Sequence, residues 1–125
     1  MKEVRSKYDL EDRLIEFATQ IINLVELLPA SRSSAHLANQ LLRSGTSPAL
    51  NYGEAQSAES RNDFIHKMRI CLKELRETKV ILRIIIKSKI GNNEQSIGLM
   101  LIENDELISI FMKSVATATQ NKKTS

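Results

Sequence analysis

Residues 60–89 read SRNDFIHKMRICLKELRETKVILRIIIKSK, and this stretch decides the fold. Phe64, Met68, Cys71, Leu75, Thr78, Leu82 and Ile85 recur at alternating gaps of four and three, the period of a helix packed on others at a shallow angle. Ser60 followed by Asp63 has the form of a capping box, so the spacing predicts a helix over 61–89. Beyond it lies KIGNNEQS, where Gly91 is suited to end a helix and Asn92 and Asn93 to make a turn. Ile97, Leu101, Ile108, Phe111 and Val115 then mark a further helix over 95–116.

Working towards the N-terminus, Leu37, Leu41, Gly45, Pro48, Tyr52 and Ala55 share one face of a helix over 34–58, which Ser33 or Ser34 can cap. Pro48 sits inside it. A proline there either kinks the helix or breaks it and starts another with Ser47 as cap. The apolar face keeps its phase across Pro48, which favours a kink. Leu10, Leu14, Phe17, Ile21, Leu24 and Leu28 define the first helix, over 9–28, with Asp9 as a cap and Pro29 as its stop. A second row of Ile15, Ala18, Ile22 and Val25 widens its apolar face. The expected architecture is all-α, an antiparallel up-down four-helix bundle over residues 1–116, followed by a polar tail, 117–125, expected to be disordered.

Composition agrees with a single helical domain. The 125 residues include four Gly, two Pro and no Trp, with 4% aromatics, and two halves of about 60 residues would each bury too little surface to be stable alone. The charged N-terminus MKEVRSKYDLEDR lacks the apolar region of a signal peptide, and no apolar run approaches the roughly 20 residues of a membrane helix. With one cysteine, Cys71, there is no disulfide framework, and a reducing cytoplasm is the expected location.

The residues that carry chemistry elsewhere are sparse here. A ferritin-like metal pair needs two Glu-x-x-His motifs, whereas this chain offers only Asp63-x-x-His66. His36 and His66 have no serine or cysteine at a spacing that implies a nucleophile and base, and the four glycines form no phosphate-cradling turn. No catalytic residue, metal or cofactor is expected. What stands out is charge. Between Arg61 and Lys89 nine bases face three acids, a balance of +6 in a chain whose net charge is +3. At about 100° per residue, Arg69, Lys73, Arg76, Arg83 and Lys87 fall in a strip roughly 80° wide opposite the apolar seam. Such a stripe is either a plain solvated face or a grip on a phosphate backbone. Ile70, Ile81 and Ile84 lie on another flank of the same helix, and surplus apolar surface of this kind implies self-association.

The stretch beginning at Arg43, RSGTSPALNYGEAQSAESRNDFIHKMRICLKELRETKVILRII, resembles the core of the four helix bundle protein family. That family includes proteins encoded in intervening sequences of bacterial 23S rRNA genes and, more distantly, the accessory variability determinant of diversity-generating retroelements. Arg43, Ser47, Asn51, Glu54 and Ala55 match around the proline, and Asp63, Phe64, Lys67, Glu74, Glu77 and Thr78 match on the third helix. Where many members carry a bulky aromatic pair after that threonine, this chain has Val80 and Ile81. The resemblance implies a homopentameric ring, no enzymatic activity and, for the accessory branch, binding to nucleic acid and a reverse transcriptase. Asn51 and Glu54, one turn apart beyond Pro48, can satisfy groups that the proline leaves unpaired. Two functions therefore stand: an oligomeric module binding RNA or DNA through the stripe, and a structural or protein-binding module with no nucleic-acid role.

Overall fold

Every short polar break in the sequence becomes a reversal of the chain. The computed structural model describes residues 7–124 and holds four helices, α1 (Lys7–Leu27), α2 (Arg32–Gln56), α3 (Arg61–Lys87) and α4 (Glu94–Thr124). No strand occurs among the described residues. Connections of four to six residues leave consecutive helices no option but to double back on one another. Each therefore packs against its sequence neighbour, α2 most extensively on α3, and α1 closes on α4 at only a few points.

The helix ends follow local chemistry. Ser60 caps α3, its Oγ accepting from the Asp63 N–H at 3.0 Å. For α2 the cap is Ser31 rather than Ser33 or Ser34, because Ser31 already has the extended backbone (φ −126°, ψ 166°) that a cap needs; its Oγ accepts from the Ser34 N–H at 3.2 Å. Asp9, expected as the cap of α1, lies within the helix, which already runs from Lys7. At the end of α3 the residue that closes the helix is Lys89, two residues before Gly91, which is itself left-handed at φ +70° in the turn that follows. Lys89 takes the left-handed conformation (φ +57°), its N–H donates to the Ile86 carbonyl at 3.0 Å and the Ile90 N–H donates to the Ile85 carbonyl at 3.2 Å. This is a Schellman ending with a non-glycine residue at its strained position. A left-handed L-residue costs roughly 1–2 kcal/mol, so Lys89→Gly is expected to stabilise the fold by about 1 kcal/mol in denaturant unfolding. No gain would mean that the lysine is unstrained.

The seams read from the sequence form the core. Leu14, Phe17, Ile21 and Leu24 of α1 meet Leu41, Tyr52 and Ala55 of α2, with Met68, Cys71, Leu75, Leu82 and Ile85 of α3. Tyr52 meets Phe111 of α4 edge-to-face, with ring centroids 5.9 Å apart. α2 passes through Pro48 as one helix. Proline cannot donate to the Ser44 carbonyl. Beside it, Asn51 Nδ2 donates to the Ser47 carbonyl and to Ser47 Oγ at 3.1 and 2.9 Å, clasping the turn. The Pro48 carbonyl accepts from Cys71 Sγ at 3.5 Å. At Gly45 α2 lies so close to α1 that a Cβ would sit 2.7 Å from Ile21 Cγ1 and 2.8 Å from Ile21 Cγ2. A branched, fully buried isoleucine has little room to yield, so the glycine sets this approach.

Three further expectations are corrected. Ile15 and Ile22 do not widen the α1 seam but are 51% and 43% exposed. Ile81 belongs to the core at 4% exposure, so the expected flank of Ile70, Ile81 and Ile84 is not one surface. Finally, the expected disordered tail is helical as far as Thr124. Ala118 is buried and Thr119 half-buried, so small side chains, rather than large apolar ones, seat the last turns against the bundle. Residues 1–6 and Ser125 lie outside the described residues.

Candidate nucleic-acid interface

The face of α3 opposite the core is built by subtraction, because its acids are drawn away. Glu74 is buried on the α2 side and receives Arg43 Nη1 at 2.8 Å, while Arg43 Nη2 donates to Glu77. The same seam carries a buried hydroxyl relay. Thr78 Oγ1 donates to the Glu74 carbonyl at 2.9 Å, which commits its one proton, so Ser44 Oγ donates to Thr78 Oγ1 across 2.8 Å. The Arg43 guanidinium is held above its ordinary range, chiefly by the charge of Glu74 and with a further contribution from Glu77. One arginine thus ties two of the three acids of α3 to α2.

Two bases of α3 are similarly occupied. Lys67 Nζ donates to Glu54 Oε1 at 2.6 Å, joining α3 to α2, and Lys79 Nζ lies 3.1 Å from Asp105 Oδ1, joining α3 to α4. What remains is the stripe. Arg69, Lys73, Arg76, Arg83 and Lys87 are all exposed on one side of α3. Only Lys73 approaches an acid, with its Nζ 3.9 Å from Glu74 Oε2; the other four have no ion pair among the described residues. The five residues named from the sequence therefore come together as one surface, on which four of the five bases have no ion pair among the described residues. Val80 and Ile84 are 54% and 41% exposed within it, and with Arg83, Lys87 and Ser88 they line a shallow hollow.

The residues of the family motif separate into roles. Arg43, Glu74 and Glu77 form the α2–α3 clasp, Asn51 braces the turn before it, and Glu54 holds Lys67. Asn51 contacts Ser47 rather than the Ser44 carbonyl that Pro48 leaves without its usual donor. Glu54 serves a side chain, not the backbone. Sequence reasoning missed Arg13, whose Nε and Nη2 grip both carboxylate oxygens of Glu103 at 2.9 and 2.8 Å while Nη2 also reaches Glu106 at 2.8 Å. These bonds raise the Arg13 pKa, that to Glu103 most, and tie α1 to α4 where the two helices otherwise barely touch. Glu103 and Glu106 sit three apart on α4, a spacing that places two carboxylates on one face but does not name their partner.

Other groups offer little chemistry. Burial pushes the Cys71 thiol up to about 12, so it remains protonated at neutral pH. His36 and His66 are exposed. Among the described residues no group of three His, Cys, Asp or Glu side chains could hold a metal ion, and no helix is long and apolar enough to cross a membrane.

Residues 7–111, all but the last part of α4, match the model of the 23S rRNA-intervening sequence protein family. The chain belongs to that family. A solved structure from Bacteroides thetaiotaomicron, described as a protein with unknown function from the S23 ribosomal protein family, is similar to this member. The two share 32% sequence identity and superpose with a TM-score of 0.78, over 87% of this chain and 96% of the other. No curated protein matches.

Proposed function

We propose that this family member is a non-enzymatic, homo-oligomeric module that binds the phosphate backbone of RNA or DNA through the outer face of α3. The observation that carries this reading is the partition of charge. Arg43 holds Glu74 and Glu77 towards α2, while Arg69, Arg76, Arg83 and Lys87 stay in water without an acid partner among the described residues. A plain solvated face has no need of that separation, since i,i+3 and i,i+4 pairing within α3 would stabilise it better. The name of the family links it to rRNA genes, and the fold agrees with the reading without requiring it.

A closed ring of copies, a pentamer as the resemblance implies, would repeat the stripe and make several weak contacts act together. The surfaces suited to contact between copies are those the monomer leaves apolar and wet: Ile15, Ile22, Leu42 and Leu50 on α1 and α2, and Leu99 and Ile102 on α4. Light scattering at micromolar concentration is expected to give a mass several times that of the 14.1 kDa chain; a monomer mass would remove the ring.

The direct test of the interface is a salt titration. Duplex and single-stranded oligonucleotides of unrelated sequence are expected to bind with similar affinity, log K falling linearly with log salt. No binding at low salt would overturn the reading. A second reading is favoured by Val80 and Ile84, which stand exposed beside Arg83 and Lys87. Apolar anchors beside free cations fit an acidic protein partner; separately, the resemblance implies a reverse transcriptase as a partner for the accessory branch.

A further inference from the structure

Beside the start of α3 and the last turns of α4 lies a groove of about 610 Å³, within the size range of small-ligand sites. It lies at the first turn of α3, ahead of the stripe, which begins at Arg69. Its lining divides by chemistry. Half-buried Phe64 and buried Ala118 make an apolar wall. Arg61 and Lys113, from different helices, are both exposed and have no ion pair among the described residues. Ser114 and Thr117 add hydroxyl groups along α4, and Asn121 completes the lining.

Each part of this lining sets a requirement on an occupant. The aromatic wall asks for a flat or apolar face, the two cations ask for negative charge, and the hydroxyls of Ser114 and Thr117 ask for an edge that donates and accepts hydrogen bonds. A fatty acid lacks the edge, and inorganic phosphate lacks the face. A nucleotide has all three. We propose that this groove binds a single unstacked nucleotide, with the base against Phe64 and the phosphate between Arg61 and Lys113. Stacking on an aromatic side chain beside a cationic track is how unpaired bases are commonly held, and it tolerates any base because every base has a π-face. The site is separate from the α3 stripe, whose first base, Arg69, lies eight residues beyond Arg61, about 12 Å along the helix at 1.5 Å per residue.

The nucleotide can be free or can end a strand, and the experiment separates the two. Adenosine monophosphate, adenosine, inorganic phosphate, decanoate and a 5′-phosphorylated tetranucleotide are titrated calorimetrically into the full-length chain and into three variants whose helicity is checked by circular dichroism. The variants are Phe64→Leu, the double change Arg61→Gln with Lys113→Gln, and the double change Arg76→Gln with Arg83→Gln. The monophosphate is expected to bind at one site per chain, more tightly than adenosine, phosphate or decanoate. Phe64→Leu is expected to weaken it about tenfold, the scale of one lost base stack. Loss of Arg61 and Lys113 should erase the advantage of the monophosphate over adenosine. Loss of Arg76 and Arg83 should leave it unchanged, so a failure of the stripe and a failure of the groove give different results. Tighter, Phe64-dependent binding of the tetranucleotide assigns the groove to a strand end, and equal binding assigns it to a free nucleotide. Monophosphate affinity no better than that of phosphate or decanoate, or unaltered in a folded Phe64→Leu protein, overturns the proposal.

Discussion

Replacing Arg76 and Arg83 together by glutamine is expected to lower affinity for duplex DNA roughly sixtyfold at 0.1 M salt. Each phosphate neutralised on duplex DNA releases counterions worth a slope of about 0.9, so two lost contacts remove about 1.8 from the dependence of log K on log salt. One decade below 1 M, that difference is about 1.8 in log K. Both side chains are exposed and lie away from the caps and the core, so stability should change by no more than about 0.5 kcal/mol. The control is Lys67→Gln with Lys79→Gln, which removes the same charge from side chains already engaged by Glu54 and Asp105. It should weaken binding far less. If both doubles lower affinity equally, net charge and not the stripe governs binding; if neither does, the stripe is only a solvated face.

The fold was legible because three of its helices keep one face mostly apolar at helical spacing. α4 is where that reading weakened. Its buried positions include Ile97, Met100, Asn104, Leu107, Phe111 and Ala118. Asn104 interrupts the row with a polar side chain that is fully buried, its Nδ2 donating to the Leu75 carbonyl at 3.0 Å. A search for apolar periodicity steps over such a residue onto its neighbours, Leu101 and Ile108, which are only half-buried. The far end of α4 was missed for a related reason. Side-chain size is a poor measure of burial here, because an alanine next to a closely approaching helix is buried by proximity alone. Likewise, periodicity marked Ile15 and Ile22 as apolar but could not tell which side of α1 would meet a neighbour.

The stripe was legible for a different reason. Exposure opposite a buried seam follows from helical geometry alone, and all five bases are where that geometry puts them. Their isolation from acids was not legible, because it depends on contacts between residues 31 and 34 apart in sequence, Arg43 with Glu74 and with Glu77. The bases themselves are equivalent in the text. That Lys67 and Lys79 are engaged while Arg76 and Arg83 are not follows only from which carboxylates α2 and α4 bring alongside.

Arg43→Met therefore has consequences both for the fold and for the surface. Glu74 keeps only 8% of its side chain exposed, and without the guanidinium its nearest cation is Lys73 at 3.9 Å. Removing one partner of a fully buried pair costs about 3–5 kcal/mol, whereas exposed pairs are worth at most about 1 kcal/mol. With Arg43 itself half in water at 53% exposure, solvent screens part of the interaction, and the expected loss falls between these limits at about 2 kcal/mol. Denaturant unfolding measures it. Adding Glu74→Gln should recover most of the loss, because an amide leaves no buried charge to compensate; no recovery, or a loss below about 0.5 kcal/mol, would mean that the clasp is not structural. The same substitution releases Glu77, which is 32% exposed and lies one residue from Arg76 along α3. A freed carboxylate there would offset part of the positive field of the stripe. Arg43→Met is thus expected to weaken oligonucleotide binding although Arg43 lies on another helix, and Glu77→Gln in that background is expected to restore binding without restoring stability. Restoration of both by Glu77→Gln, or of neither, would break the link between the clasp and the stripe.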